Sequence, residues 1–112
     1  MASKMSFLEA VENRRSVYKL SSKIPISDDR VVEIATEAIK HVPSSFNSQS
    51  ARMVVLLNAE HEKFWELTKE VLKPQVPEDK FGATEQKLDG FKAGHGTVCS
   101  SPFQSLPLPP LY

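Results

Sequence analysis

Apolar positions recur along this chain in helical stripes and one unbroken run. Phe7, Leu8 and Val11 share a face of a first helix that opens at Ser6. Ser6 and Glu9 form a Ser-x-x-Glu capping box, in which each side chain satisfies the other residue's backbone N–H. The spacing predicts a helix to about Asn13 or Arg14, then a connector over 15–26 with Pro25 near its end. Val31, Ile34, Ala35, Ala38, Ile39 and Val42 follow the i, i+3, i+4, i+7 rule and predict a second, stronger helix with that stripe buried. Ser27 is its candidate N-cap. Asp28 and Asp29 suit the positive end of the helix dipole, and Lys40 and His41 the negative end. Pro43 cannot continue the hydrogen-bond ladder.

Residues 44–51 form a polar loop. Arg52–Asn58 carries Met-Val-Val-Leu-Leu with no polar alternation, the pattern of a strand covered on both faces. Asn58 is a candidate cap for a third helix from Ala59 to about Lys73, with Phe64, Trp65, Leu67, Val71 and Leu72 toward a core and Pro74 at its end. Thr84–Phe91 reads as a short helix with Leu88 and Phe91 inward. Gly94 and Gly96 then precede Thr97-Val98-Cys99, the opening of a second strand. Periodicity stops at Ser100. Residues 100–112 hold four of the eight prolines and no charge, which predicts an irregular, partly extended tail. The order ααβα leaves one complete strand and a stub. A lone strand has unpaired backbone groups, so its partners are expected from another chain or from further sequence.

Composition narrows the function classes. At 112 residues the chain holds one domain at most. Fourteen basic residues balance fourteen acidic ones, which argues against a general nucleic-acid binder. With Cys99 alone there is no intramolecular disulfide, which fits a reducing compartment, the cytoplasm or nucleus. Met1–Ser6 lacks the apolar run of a secretory signal, and Met53–Leu57 is far too short for a membrane span. No membrane association is expected. His41, His61 and His95 are widely spaced without a Cys or carboxylate cluster, so no metal site is expected. His61 and Glu62 are expected to face solvent at a helix start, and Cys99 to pack in a core. Pro107-Leu108-Pro109-Pro110 has a Pro-x-x-Pro form but no flanking Arg or Lys, and is expected to be functionless.

Two segments carry candidate chemistry. Arg14-Arg15-Ser16 offers two guanidiniums and a hydroxyl within three residues, a combination that suits a phosphate. Alone, it is better explained by Arg complementing a helix C-terminus. Pro43-Ser44-Ser45-Phe46-Asn47-Ser48-Gln49 packs hydroxyls and two amides between a helix and an apolar strand. Its amides can read the polar edge of a planar heterocycle, although turn-forming Ser and Asn also suit a plain connector.

In sequence, Arg-Arg-Ser after one amphipathic helix, a second amphipathic helix, and Pro-Ser-Ser-x-Asn-Ser-Gln leading into an apolar strand resemble the opening of the nitroreductase family of FMN enzymes. More narrowly, they resemble the small nitroreductase-like proteins of fungi. The resemblance covers residue 7 to about 98. It implies an α+β fold, of which this chain carries the N-terminal portion over residues 1–99, with helices, an incomplete sheet and an unrelated tail over 100–112. It implies an intertwined homodimer with FMN at the subunit interface. Arg14, Arg15 and Ser16 would hold the flavin phosphate and ribityl chain, and Asn47 would reach the ring, commonly of the other subunit's flavin. NAD(P)H would donate hydride, and a small nitroaromatic or quinone acceptor would take it up. Many members place Lys or Arg two positions after the serine, near the pyrimidine end of the flavin. Here Tyr18 holds that position and supplies a hydrogen bond but no charge. No catalytic side chain is implied. The loss of resemblance near Val98 implies a truncated or mis-spliced product. Two rivals to an incomplete enzyme are a non-catalytic remnant that dimerises with or regulates a full-length relative, and an unstable product with Met53–Leu57 as an aggregation hazard.

Overall fold

The computed structural model describes residues 4–102. In chain order it contains α1 (Phe7–Asn13), α2 (Asp28–His41), a 3-10 turn (Ser45–Asn47), β1 (Ala51–Leu57), α3 (Ala59–Leu72), α4 (Glu78–Lys92) and β2 (Gly96–Pro102). No helix among them is long and apolar enough to cross a membrane.

Local capping sets the first two helices as expected. Ser6 Oγ accepts from Glu9 N at 3.3 Å while Ser6 N donates to the Glu9 carboxylate at 2.7 Å, completing the capping box. Ser27 Oγ accepts from Arg30 N at 3.2 Å and starts α2. The helix ends at His41, two residues before Pro43. Asn58 departs from its expected capping role. Its side chain makes no cap bond to α3 and instead donates to Asp28 Oδ2 at 2.7 Å. Its backbone stands at φ 52°, which turns β1 sharply into α3. α4 is longer than the expected Thr84–Phe91. Pro77 at its N-cap and the acidic pair Glu78 and Asp79 open it earlier, where the apolar pattern is too sparse to signal a helix.

β1 pairs antiparallel with β2, from Ala51↔Pro102 to Leu57↔Gly96. The strand partner expected from outside is therefore within the chain. β2 also runs to Pro102, past the Ser100 boundary expected for the irregular tail. The remainder of that tail, with its Pro-x-x-Pro stretch, lies outside the described residues. The sheet closes tightly at Gly96, where a Cβ would meet Leu57 Cδ2 at 2.5 Å and Leu56 O at 2.8 Å, so the register needs glycine there.

Burial is sparse. Among the described residues only His61 (1% exposed) and Leu88 (6%) are buried. α2 and α3 both pack on β1. Two strands about 4.8 Å apart are too narrow to cover whole helical stripes. Of the apolar stripe along α2 only Val31, Ala35 and Ala38 are half-buried, whereas Ile34, Ile39 and Val42 are exposed. Leu67, Val71 and Phe91, expected to face a core, are exposed as well, and so is Val54 in β1, which is not covered on both faces.

The firmest packing joins α3, α4 and β2. His61, expected at the surface, is the most buried residue. Trp65 Nε1 donates to Thr97 Oγ1 at 2.9 Å, the Thr97 hydroxyl meets His61 Nδ1 at 2.7 Å, and His61 Nε2 donates to the Lys92 carbonyl at 3.0 Å. The relay uses every polar atom of the two rings, which is what buried polar groups require. Trp65 stacks edge-on with Phe64 and tilted against Phe91, each with centroids 5.1 Å apart. Outside this cluster Lys92 pairs with Glu66 at 2.5 Å, and Lys69 with Asp89.

Candidate functional site

The Ser44–Gln49 loop has the most constrained backbone among the described residues. Phe46, Asn47 and Gln49, none of them glycine, stand at φ 53°, 52° and 51°. Left-handed backbone at such residues is costly and needs local bonds to hold it. Those bonds are present. Gln49 N donates to Ser44 Oγ at 2.9 Å, and Gln49 Nε2 donates to Asn47 Oδ1 at 3.2 Å. Asn47 N donates to the Ser44 carbonyl at 3.0 Å. The result holds the amide oxygen of the exposed Asn47 on Gln49 and leaves Phe46 fully exposed.

This loop forms one wall of a cavity of about 650 Å³. The end of α2 supplies Lys40 and His41, the loop supplies Ser44, Asn47 and Gln49, and the sheet supplies Arg52, Met53 and Ser100. No Asp or Glu is among the lining residues, so the cavity has a positive character. His41 Nε2 lies 3.2 Å from Glu37, one turn back along α2. Arg52 Nη1 donates to the Gln49 and Ala51 carbonyls at 3.2 and 2.9 Å and braces the loop against β1. Lys40 and Arg52 were not legible as site residues from the sequence. Lys40 reads as a dipole partner and Arg52 as the flank of a strand, and only the turn at Pro43 brings them to one cavity.

The Arg-Arg-Ser segment lies elsewhere. It follows α1 directly, with every residue from 4 to 23 exposed. Arg14 Nη1 donates to Ser16 Oγ at 3.4 Å, which turns a guanidinium and a hydroxyl toward the same point. Arg15 bends back instead, donating to the Glu12 and Arg14 carbonyls at 2.7 and 2.9 Å as a cap on α1. Tyr18 is 84% exposed. Among the described residues no hydrogen bond joins Arg14, Arg15, Ser16 or Tyr18 to the Asn47 loop, and none of the four lines its cavity. Within one chain the expected site residues thus form two separate groups. No group of three or more His, Cys, Asp or Glu side chains suited to a metal occurs among the described residues.

Comparison with known proteins places these features. Residues 11–103 match the family model described as the Nitroreductase family. The chain is 32% identical over 77 residues to HBN1 of Saccharomyces cerevisiae, covering 66% of this chain and 40% of that protein. It is 32% identical over 63 residues to the nitroreductase FRM2 of the same yeast, covering 54% of this chain and 33% of FRM2. The chain therefore spans well under half the length of these curated relatives. The nitroreductase CinD from Lactococcus lactis, solved in complex with chloramphenicol, superposes with a TM-score of 0.68 at 35% identity, over 89% of this chain and 49% of CinD. A nitroreductase from Saccharomyces cerevisiae reaches the same TM-score at 23% identity, over 88% of this chain and 53% of that one, a likeness of fold.

Proposed function

Since this chain belongs to the nitroreductase family, we propose that it serves an FMN-dependent oxidoreductase in which NAD(P)H supplies hydride and a nitroaromatic or quinone-type small molecule accepts it. The observation that carries this reading is the strained loop at Phe46, Asn47 and Gln49, held beside a cationic cavity. A plain connector gains nothing from three left-handed non-glycine residues at roughly 1–3 kcal/mol each. A loop that must present an amide in one fixed pose does. That CinD has been solved with 4-nitrophenol supports the acceptor class.

The residues present fit a flavin nucleotide. Arg14 and Ser16 already converge at 3.4 Å, and a phosphate oxygen would accept from both. Arg15 holds the end of α1 and positions its neighbours. Asn47 Oδ1 is engaged by Gln49, so its Nδ2 is the atom turned toward a ligand, where it would donate to a ring carbonyl or nitrogen. Tyr18 would offer a phenolic donor in place of a cation. When bound, the flavin would supply two-electron transfer between nicotinamide and acceptor. The chain's own part is to grip, orient and exclude water. Because the two groups of site residues do not meet in one chain, the reading includes a homodimer, with each flavin held by groups from both copies.

The test is the visible spectrum of the purified protein after incubation with excess FMN and desalting. Near-stoichiometric flavin that supports NAD(P)H oxidation is the expected result. A colourless protein that co-purifies with a full-length flavoprotein relative would favour a second reading, a non-catalytic partner of that relative. The separation of the Arg14 and Asn47 groups within one chain is what gives that reading weight.

A further inference from the structure

His95 sits in the turn between α4 and β2, its side chain 18% exposed, and both of its ring nitrogens face acceptors. Nδ1 lies 2.9 Å from the Ser22 carbonyl, and Nε2 lies 2.6 Å from Asp28 Oδ1. Asn58 completes the cluster, its Nδ2 donating to Asp28 Oδ2 and its backbone N to the His95 carbonyl. A carbonyl and a carboxylate can only accept, so both ring nitrogens must donate, and only the imidazolium does that. The neutral ring keeps one N–H. The bond to the Asp28 carboxylate is the shorter, charge-assisted one, so the neutral ring keeps its N–H on Nε2 and the bond to the Ser22 carbonyl is the one lost.

The cluster's position gives it a role. Residues 4–23 are all exposed, and among the described residues none of the main packing pairs of elements includes α1. The connector is tied to the fold by Leu20 against Gly94, where a Cβ would meet Leu20 Cδ1 at 3.3 Å, and by the Ser22 carbonyl on His95. Ser22 stands six positions after Ser16, a reach of roughly 20 Å at full extension. Holding Ser22, with Leu20 against Gly94, therefore limits the volume open to the Arg14–Ser16 donors, and loosening that hold enlarges it. We propose that His95 is a positioning residue for the Arg14–Ser16 segment, clasping the connector to the fold while its ring is protonated and releasing it when the ring is neutral. The consequence for flavin rests on the function proposed above.

The charged environment supports this. Asp28 raises the ring's pKa above its ordinary value, with the Ser22 carbonyl adding to it, and the Asp28 carboxyl is lowered by His95 first and Asn58 second. Among the described residues Asp28 is the charged group set against the ring. Asn58 and the Ser22 carbonyl are its uncharged neighbours, and Lys92 nearby is held by Glu66. The clasp is complete below the ordinary histidine pKa and opens as pH rises through the raised one. On the acid side it holds until pH falls through the lowered pKa of Asp28.

The test is a pH series on the whole chain, with His95 ring shifts and the backbone order of residues 17–23 followed by NMR, and FMN affinity followed by flavin fluorescence quenching. The expected result is that order over 17–23 drops in step with His95 deprotonation and that FMN binding weakens about three- to tenfold across the same interval. H95Q, which does not titrate, should remove both steps. Order over 17–23 that stays constant through the His95 titration overturns the proposal, as does an unchanged pH dependence in H95Q. A chain that shows the order step but binds no FMN at any pH keeps the clasp and overturns the flavin reading. FMN binding with no step does the reverse.

Discussion

The α3–α4–β2 body and the N-terminal arm are both rich in polar side chains, and they use them differently. In the arm, from Ser6 to Ser16, each hydrogen-bonding side chain reaches a partner within four residues. In the body, His61, Trp65 and Lys92 reach partners 26 to 36 residues away. Short-range bonds give a segment a shape, and long-range bonds give it a place. The arm has a shape and no place of its own, and it carries the residues proposed to grip the cofactor phosphate. On that proposal the phosphate-gripping groups sit where ordering can be supplied by a ligand or a second chain, while the body supplies the stability.

The largest expected effect breaks the body. Thr97→Val keeps the volume but strands the Trp65 N–H and the His61 Nδ1 atom, and should cost roughly 2–4 kcal/mol in denaturant unfolding. The same change should leave the arm's α1 capping box intact by amide shifts. Arg14→Ala and Asn47→Ala cut the other way. Each should weaken FMN binding on the order of 10- to 100-fold by fluorescence titration; Arg14→Ala should leave the unfolding midpoint in place, and Asn47→Ala, which loses the Gln49 bond at a left-handed position, should lower it by less than Thr97→Val does. If either shifts the midpoint as Thr97→Val does, stability and binding are not divided between the two regions. Ser27→Ala sits between them and should lower stability by about 1 kcal/mol through loss of the α2 cap.

The smallest expected effect concerns the ion pairs over α3 and α4. Glu66 is lowered chiefly by its bond to Lys92, and Lys69 is raised chiefly by Asp89. The Glu66 contribution is present above its ordinary value of 4.5 and is lost as pH falls through the lowered one. The Lys69 contribution is present below 10.5 and is lost as pH rises through the raised one. Unfolding midpoints measured across that range should form a plateau that flattens in high salt, because the pairs are partly exposed.

The contrast between short and long range also marks what the sequence disclosed. Ser6, Ser27 and Pro43 act on their immediate neighbours, and the helices they bound were legible from spacing. His61 was misplaced because its burial depends on Thr97 and on the Lys92 carbonyl, neither of which announces itself near residue 61. Asn58 has the composition of a cap, but its amide serves Asp28, thirty residues earlier. The phosphate-type donors at Arg14 and Ser16 and the Asn47 amide were legible as motifs. The cavity beside Asn47 was not, since Lys40 and Arg52 converge only after the chain has turned at Pro43.

The pairing of β1 with β2 has a bearing on the order of folding. Their partners lie on either side of the whole α3–α4 hairpin, so the sheet cannot close until that hairpin has brought its ends together. The entropy of closing so long a loop falls on the hairpin, whose own contacts are nearer in sequence. Probes in α3 and α4 should therefore register before probes in the strands during refolding. Gly96, at the end of the ladder next to that hairpin, is where the register is set, because only a residue without a side chain lets Leu57 settle opposite it.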